Sequence, residues 1–383
     1  MMSTEIGADI PLIDHHCHGI MTGDLSAEQF EDGLSEAYSP APAGTSHWDK
    51  PVAISIRRWC APVLDLPKFA APEDYIARRV ELGAAEVNQR FLRAAGFEIL
   101  LVDSGNRPDE LCSVDEVGKI AGVPSREVVR MESVAERVME KGGVTAAGYA
   151  EAFEAELRAA LHDNVVGLKT VVAYRSTLAI DYSPPGPGEV ARAAGAWLAE
   201  IEATGEVRIT DPVLERHLLW LGADIAREKG YPVQFHIGIG DPDIELNKVD
   251  PSLLTPFLRA AEAWEFPITL LHCYPFHRHA GLIAENFPYV YFDVGFVQNW
   301  SGPSYQRIMD EALELAPFTK QLYSSDAFGF SELYYLGALR FRTSLARALG
   351  GWVDADELPA SEVERIMNMI GRGNARRIYP LGD

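Results

Sequence analysis

Short apolar runs alternate with longer stretches of helical period along most of this chain. The runs cover residues 11–16, 97–103, 127–131, 165–173, 232–237, 268–272, 290–294 and 321–324, and their length and β-branched content predict strands. Between most of them apolar positions recur at helical spacing, which predicts helices over 146–161, 212–229, 252–264 and 303–315. Strands that alternate with helices pair in parallel, and eight is the number that closes a barrel. The predicted fold is α/β, a (β/α)8 TIM barrel formed by residues 1–383 as a single domain.

Two stretches break the alternation. Residues 20–95 hold more than one crossover helix needs, with a Pro, Ala and Gly-rich loop at 39–45 followed by Trp48, Arg57, Arg58 and Trp59. This predicts a helical insertion after the first strand, placed as a lid over the barrel mouth. Residues 331–383 follow the last strand as a helical C-terminal segment, expected to close the barrel from outside.

Composition narrows the class. A hydrophobic share of 47% over 383 residues supports a large core. The sequence holds no run of about 18 apolar residues for a membrane span, and its N-terminus lacks the basic and apolar regions of a secretory leader. A soluble, cytoplasmic protein is the expectation. The formal net charge of −22 argues against nucleic acid or an anionic membrane as partner. Cys17, Cys60, Cys112 and Cys273 are widely spaced, without Cys-x-x-Cys, so neither a disulfide framework nor a thiolate zinc site is indicated. A homo-oligomer is a base-rate expectation.

The candidate chemistry begins with His16-x-His18. On an extended strand alternate side chains share a face, so these two imidazoles would project together toward one cation. His236 closes the run 233–235, His272 closes 268–271, Asp326 follows 322–325, and Lys169 lies within 165–170. In a parallel barrel those C-terminal ends converge on the face where barrel enzymes keep their chemistry. Each residue alone has a plain structural account: a hydrogen-bonded histidine, a helix-capping aspartate, a solvated lysine. Together they offer the N and O donors of a metal site. His15, Cys17 and Cys273 should face away from it, His277 and His279 should sit at a helix start, and Asp293 is a weaker candidate behind the ligands.

The order His16-x-His18, Lys169, His236, His272, Asp326 resembles the amidohydrolase superfamily of metal-dependent barrel hydrolases. More narrowly, Gly167-Leu168-Lys169-Thr170 with Ala173-Tyr174-Arg175, Phe235-His236-Ile237-Gly238-Ile239-Gly240-Asp241 and Tyr323-Ser324-Ser325-Asp326-Ala327 are similar to the amidohydrolase-2 branch. That branch includes the N-terminal domains of glutamine-synthetase-like fusion proteins.

The resemblance implies that His16 and His18 hold one divalent metal with Asp326 nearby. His236 and His272 would hold a second, bridged by Lys169 after carbon dioxide converts its amine to a carbamate. Zinc is the expected ion, with manganese, iron or cobalt as alternatives. Two divalent ions set against carbamate, Asp326 and a bridging hydroxide would leave about one positive charge to polarise a carbonyl. The implied activity is hydrolysis of an amide (C–N), ester or lactone bond in a small molecule, with Asp326 and His272 as catalytic residues. Arg175 could clamp a substrate carboxylate, with Tyr174 beside it and Trp59 contributing from the lid. Other members of the branch are one-metal decarboxylases without a modified lysine, in which His272 would act as acid or base. A non-catalytic ligand-binding barrel is the third class, disfavoured because a full ligand set is costly to keep without use.

Overall fold

The β-branched and apolar runs form strands because both faces of a parallel sheet are covered, leaving little room for polar alternation. The computed structural model describes residues 9–37 and 39–382. Among these, seven strands form: β1 (Leu12–Cys17), β2 (Phe97–Asp103), β3 (Ser125–Arg130), β4 (Val165–Thr170), β5 (Val233–His236), β6 (Ile268–Leu271) and β7 (Val290–Phe292). They make one curled sheet in sequential order, every neighbouring pair parallel. Every residue of β1, β4, β5, β6 and β7 is buried.

The eighth run differs from expectation. Residues 321–324 form no regular strand; Gln321 makes an isolated parallel bridge to Phe292. The segment still bonds on both sides. Leu322 donates to the Phe292 carbonyl at 2.9 Å, while the His15 and Asp326 amides donate to Tyr323 and His16 carbonyls at 3.1 and 3.0 Å. Regular pairing fails because the Ser325 amide is taken by the Asp14 carboxylate at 2.9 Å, and Asp326 turns the chain with φ +47°.

The predicted helices appear with shifted ends. Pro212–Lys229 is continuous and starts at the Asp211 cap, whose carboxylate accepts the Val213 amide at 2.7 Å. The stretch 146–161 becomes a short 3-10 turn and the helix Tyr149–Ala160. In the C-terminal segment the helix Ser331–Asp354 packs on the helix Ala84–Ala94 of the region between β1 and β2. That region is helical, and its Phe30, Trp48 and Tyr75 rings cluster beside a buried Arg79–Glu332 ion pair. The very end of the chain does not stay outside. Ala375, Ile378, Tyr379 and Leu381 join Ile13, Leu101, Val128, Val166 and Leu322 in a second apolar cluster, because this side of the sheet also needs an apolar cover.

Candidate metal centre

β1 delivers His16 and then His18, and a register irregularity between Asp14 and Cys17 breaks strict alternation there. Gln234 on β5 donates from Nε2 to the His15 carbonyl at 2.7 Å, which fixes its amide orientation. Its Oε1 therefore accepts from His16 Nδ1 at 2.8 Å. His18 Nδ1 donates to the Asp103 carbonyl at 3.3 Å. In both rings Nε2 is left with its lone pair outward. Those two nitrogens face Asp326 Oδ1 at 3.1 and 3.3 Å. The three donor atoms lie within 4.8 Å of one another.

Burial, then the nearby Lys169 charge, holds His16 well below the usual imidazole range. A neutral ring whose lone pair faces a carboxylate is repulsive unless a cation lies between them. The donor set fits such an ion. On the far side of Asp326, His272 Nδ1 lies 3.3 Å from Oδ2 without hydrogen-bond geometry, and His236 Nε2 is buried with no partner. These rings approach with centroids 4.9 Å apart. Burial first, with His236 and Lys169 adding to it, depresses His272; burial and then Lys169 depress His236. Lys169 ends 3.3 Å from His16 Nε2, and burial pushes its amine down to about 8 despite Asp103 and Asp326. Burial raises Asp326.

The cluster opens into a cavity of about 280 Å³. Lys169, His236, His272 and Asp326 line it together with Arg130, Tyr174 and Arg175. His272 leaves β6 with φ +68°, a left-handed turn held by its amide bond to Asp293 Oδ1 at 2.9 Å.

Residues 128–381, about two thirds of the chain, match the family model described as amidohydrolase (Amidohydro_2). The chain belongs to the amidohydrolase family. Its sequence is 26% identical to protein fluG of Emericella nidulans over 97% of this chain and 46% of that protein. The chain thus spans about half the length of the curated relative it matches. A presumed metal-dependent hydrolase from Lactobacillus casei ATCC 334 superposes with a TM-score of 0.84 at 28% identity, covering 98% of this chain and 96% of that one. Glucuronate isomerase from Caulobacter crescentus shares the fold, with a TM-score of 0.68 at 14% identity over 100% of this chain and 93% of that one.

In this amidohydrolase His16, His18 and Asp326 come together as one cluster, with His272 against Asp326 and Lys169 against His16. Tyr174 reaches the cavity and packs on His236 with ring centroids 4.4 Å apart; a side chain at Gly240 would collide with its hydroxyl. Arg175 also lines the cavity, where Nη2 pairs with Glu136 Oε1 at 3.2 Å and Nε is buried with no partner. Trp59 is not among the cavity's lining residues. It packs under the Arg58 guanidinium, 4.0 Å from ring centroid to Cζ.

His15 points its ring away from the donor cluster, with Nδ1 at 3.0 Å from the Tyr379 hydroxyl, a group that Gln234 also bonds. Sequence reasoning passed over Asp103 and Arg130, which end β2 and β3 as His236 ends β5. Arg130 bonds Asp103 Oδ2 from Nε and Nη2 at 3.1 and 2.6 Å. Burial alone would raise Asp103, but Arg130, His18 and Lys169 bring it down to about 2. Glu132 was also missed. It braces the end of β4 by accepting from the Thr170 hydroxyl and the Val171 amide at 2.5 and 2.7 Å.

Proposed function

We propose that this amidohydrolase is a metal-dependent hydrolase of an amide, ester or lactone bond in a small carboxylated molecule. What carries the reading is the pair of Nε2 lone pairs facing one oxygen of Asp326. His16, His18 and Asp326 would hold a divalent ion such as zinc; His236 and His272 would hold a second, with Lys169 as the bridging carbamate. The name of the Lactobacillus casei relative supports the same class. An ion held there supplies Lewis acidity toward a carbonyl and toward water.

The protein's own groups supply the remainder. Asp326 takes a proton from the attacking water on Oδ1 or Oδ2 and returns it to the leaving nitrogen or oxygen. Arg175, with a buried and unpartnered Nε, orients a substrate carboxylate, and Tyr174 closes the wall over His236. Segment 321–327, bonded to both β7 and β1, serves as the eighth element of a (β/α)8 barrel. Residues 20–95 act as its lid, a role supported by Glu36 at the cavity wall.

A second reading, a one-metal decarboxylase, is favoured by one observation. Among the described residues the His, Cys, Asp and Glu donors that lie tightly together are His16, His18 and Asp326, without His236 or His272. Elemental analysis by inductively coupled plasma mass spectrometry of the wild type and Lys169→Ala, purified without chelator, separates the two. Two metals per chain that fall in the variant, with restoration by a short carboxylate, uphold the bridged hydrolase. One metal in both proteins removes the bridge and makes the decarboxylase the leading reading.

A further inference from the structure

Beyond Asp326 the chain runs on beside the continuation of β1. The His18 amide donates to the Ala327 carbonyl at 2.9 Å, the Gly329 amide to Gly19 at 3.0 Å, and the Met21 amide to Gly329 at 2.9 Å. This ladder carries two metal-site donors, His18 and Asp326, at one end. At the other it carries Met21, Phe328 and Phe330, which wall a second cavity of about 330 Å³ together with Leu25. Phe328 and Arg107 line both cavities, so the two adjoin across that shared wall. The Phe328 ring stands edge-on to His18 with centroids 6.5 Å apart.

The two compartments differ in chemistry. The first is lined largely by His, Lys, Arg and Asp side chains, while the second presents a thioether, an isobutyl group and two phenyl rings alongside Gln29, Asp32, Arg107 and Glu110. A methionine in such a wall adapts to irregular apolar shapes. We propose that the second cavity is a substrate subsite that takes the apolar tail of a carboxylate-bearing ligand whose polar head occupies the metal-site cavity. The substrate class is therefore an amphipathic molecule with a short alkyl or aryl arm. The inference rests on the proposed reading of the first cavity as the seat of a carboxylated substrate.

Isothermal titration calorimetry of the zinc-supplemented protein with straight-chain carboxylates from acetate to octanoate tests it, using Leu25→Trp to fill the subsite and Leu25→Ala to enlarge it. The expected result is a Kd that tightens about threefold to fourfold per added methylene until the subsite is full. Leu25→Trp should flatten that series while leaving acetate unchanged, and Leu25→Ala should extend it to longer chains. Acetate binding with no chain-length dependence overturns the subsite alone, as does a slope that Leu25→Trp leaves intact. Failure of every carboxylate, acetate included, overturns the head-group reading and the subsite with it.

Discussion

Two buried polar clusters lie one residue apart along β1, and they are finished differently. Around His15 each side-chain donor and acceptor meets a protein partner: Nδ1 bonds the Tyr379 hydroxyl and Nε2 bonds Asp293 Oδ2, both at 3.0 Å. Asp293 Oδ1 takes the His272 and Gly295 amides and the Ser324 hydroxyl. Around His16 the ring ends meet the Asp326 carboxylate and the Lys169 amine, while His236 Nε2 and His272 Nδ1 meet no hydrogen-bond partner. Burial is equal, with both histidines fully inaccessible. Depth in the protein therefore does not distinguish scaffold from site; hydrogen-bond closure does. The His15 network completes itself, whereas the His16 cluster is completed by something the chain does not encode.

The largest expected effect is on turnover. Asp326→Asn should lower hydrolysis by about 10²- to 10⁴-fold, the usual range for a general acid–base group, while retaining some metal. Assaying kcat alongside metal content checks this, and unchanged activity would remove Asp326 from the chemistry.

The next effect separates the clusters directly. His15→Ala should cost about 3–5 kcal/mol in denaturant unfolding, because it strands the buried Asp293, yet leave metal stoichiometry near that of the wild type. His16→Ala should lose metal, at a much smaller stability cost when variant and wild type are both unfolded metal-free. Equal losses of metal in both variants would break the comparison.

Chelation should act on one cluster alone. Removing the ion should lower the melting temperature of the wild type, with a stability loss of about 2.7 kcal/mol if the ion had been present at about a hundredfold excess over its Kd. The same treatment should move a His16→Ala, His18→Ala double variant much less. A scanning calorimetry trace with and without chelator reads both.

The smallest effect concerns acid. Asp103 is closed by Arg130 as His15 is closed by Asp293, and its folded pKa of about 2 lies below the ordinary 3.8. A depressed carboxyl contributes stability above its unfolded pKa and loses it as pH falls through the folded one. The shift corresponds to about 2 kcal/mol, lost between roughly pH 4 and pH 2. Unfolding free energies across that window should show a shallower acid limb in Asp103→Asn.

Much of the frame could be read from the residues. Seven strands fall where apolar runs predict them, and Pro212–Lys229 begins and ends at its cap signals, Asp211 and Gly230. The eighth run was harder because its outcome depends on Asp14, more than 300 residues earlier, capturing the Ser325 amide. No local pattern carries that information. His16, His18 and Asp326 were visible as polar residues at strand ends, and the same criterion would have exposed Asp103 and Arg130. Restricted to metal donors, that criterion passes over the acid–base pair that braces them. Trp59 was misleading for a related reason: an aromatic residue in an inserted segment reads alike whether it faces a cavity or packs under an arginine.

The hydrogen bond from His15 to Tyr379 joins residues 364 positions apart. Gln234, which aligns the His16 ring, bonds that same tyrosine. The alignment of His16 is therefore finished by a residue more than 360 positions further along the chain. During synthesis the His-x-His segment emerges long before Gln234 and Tyr379, so metal capture in the native geometry waits until those residues have been made.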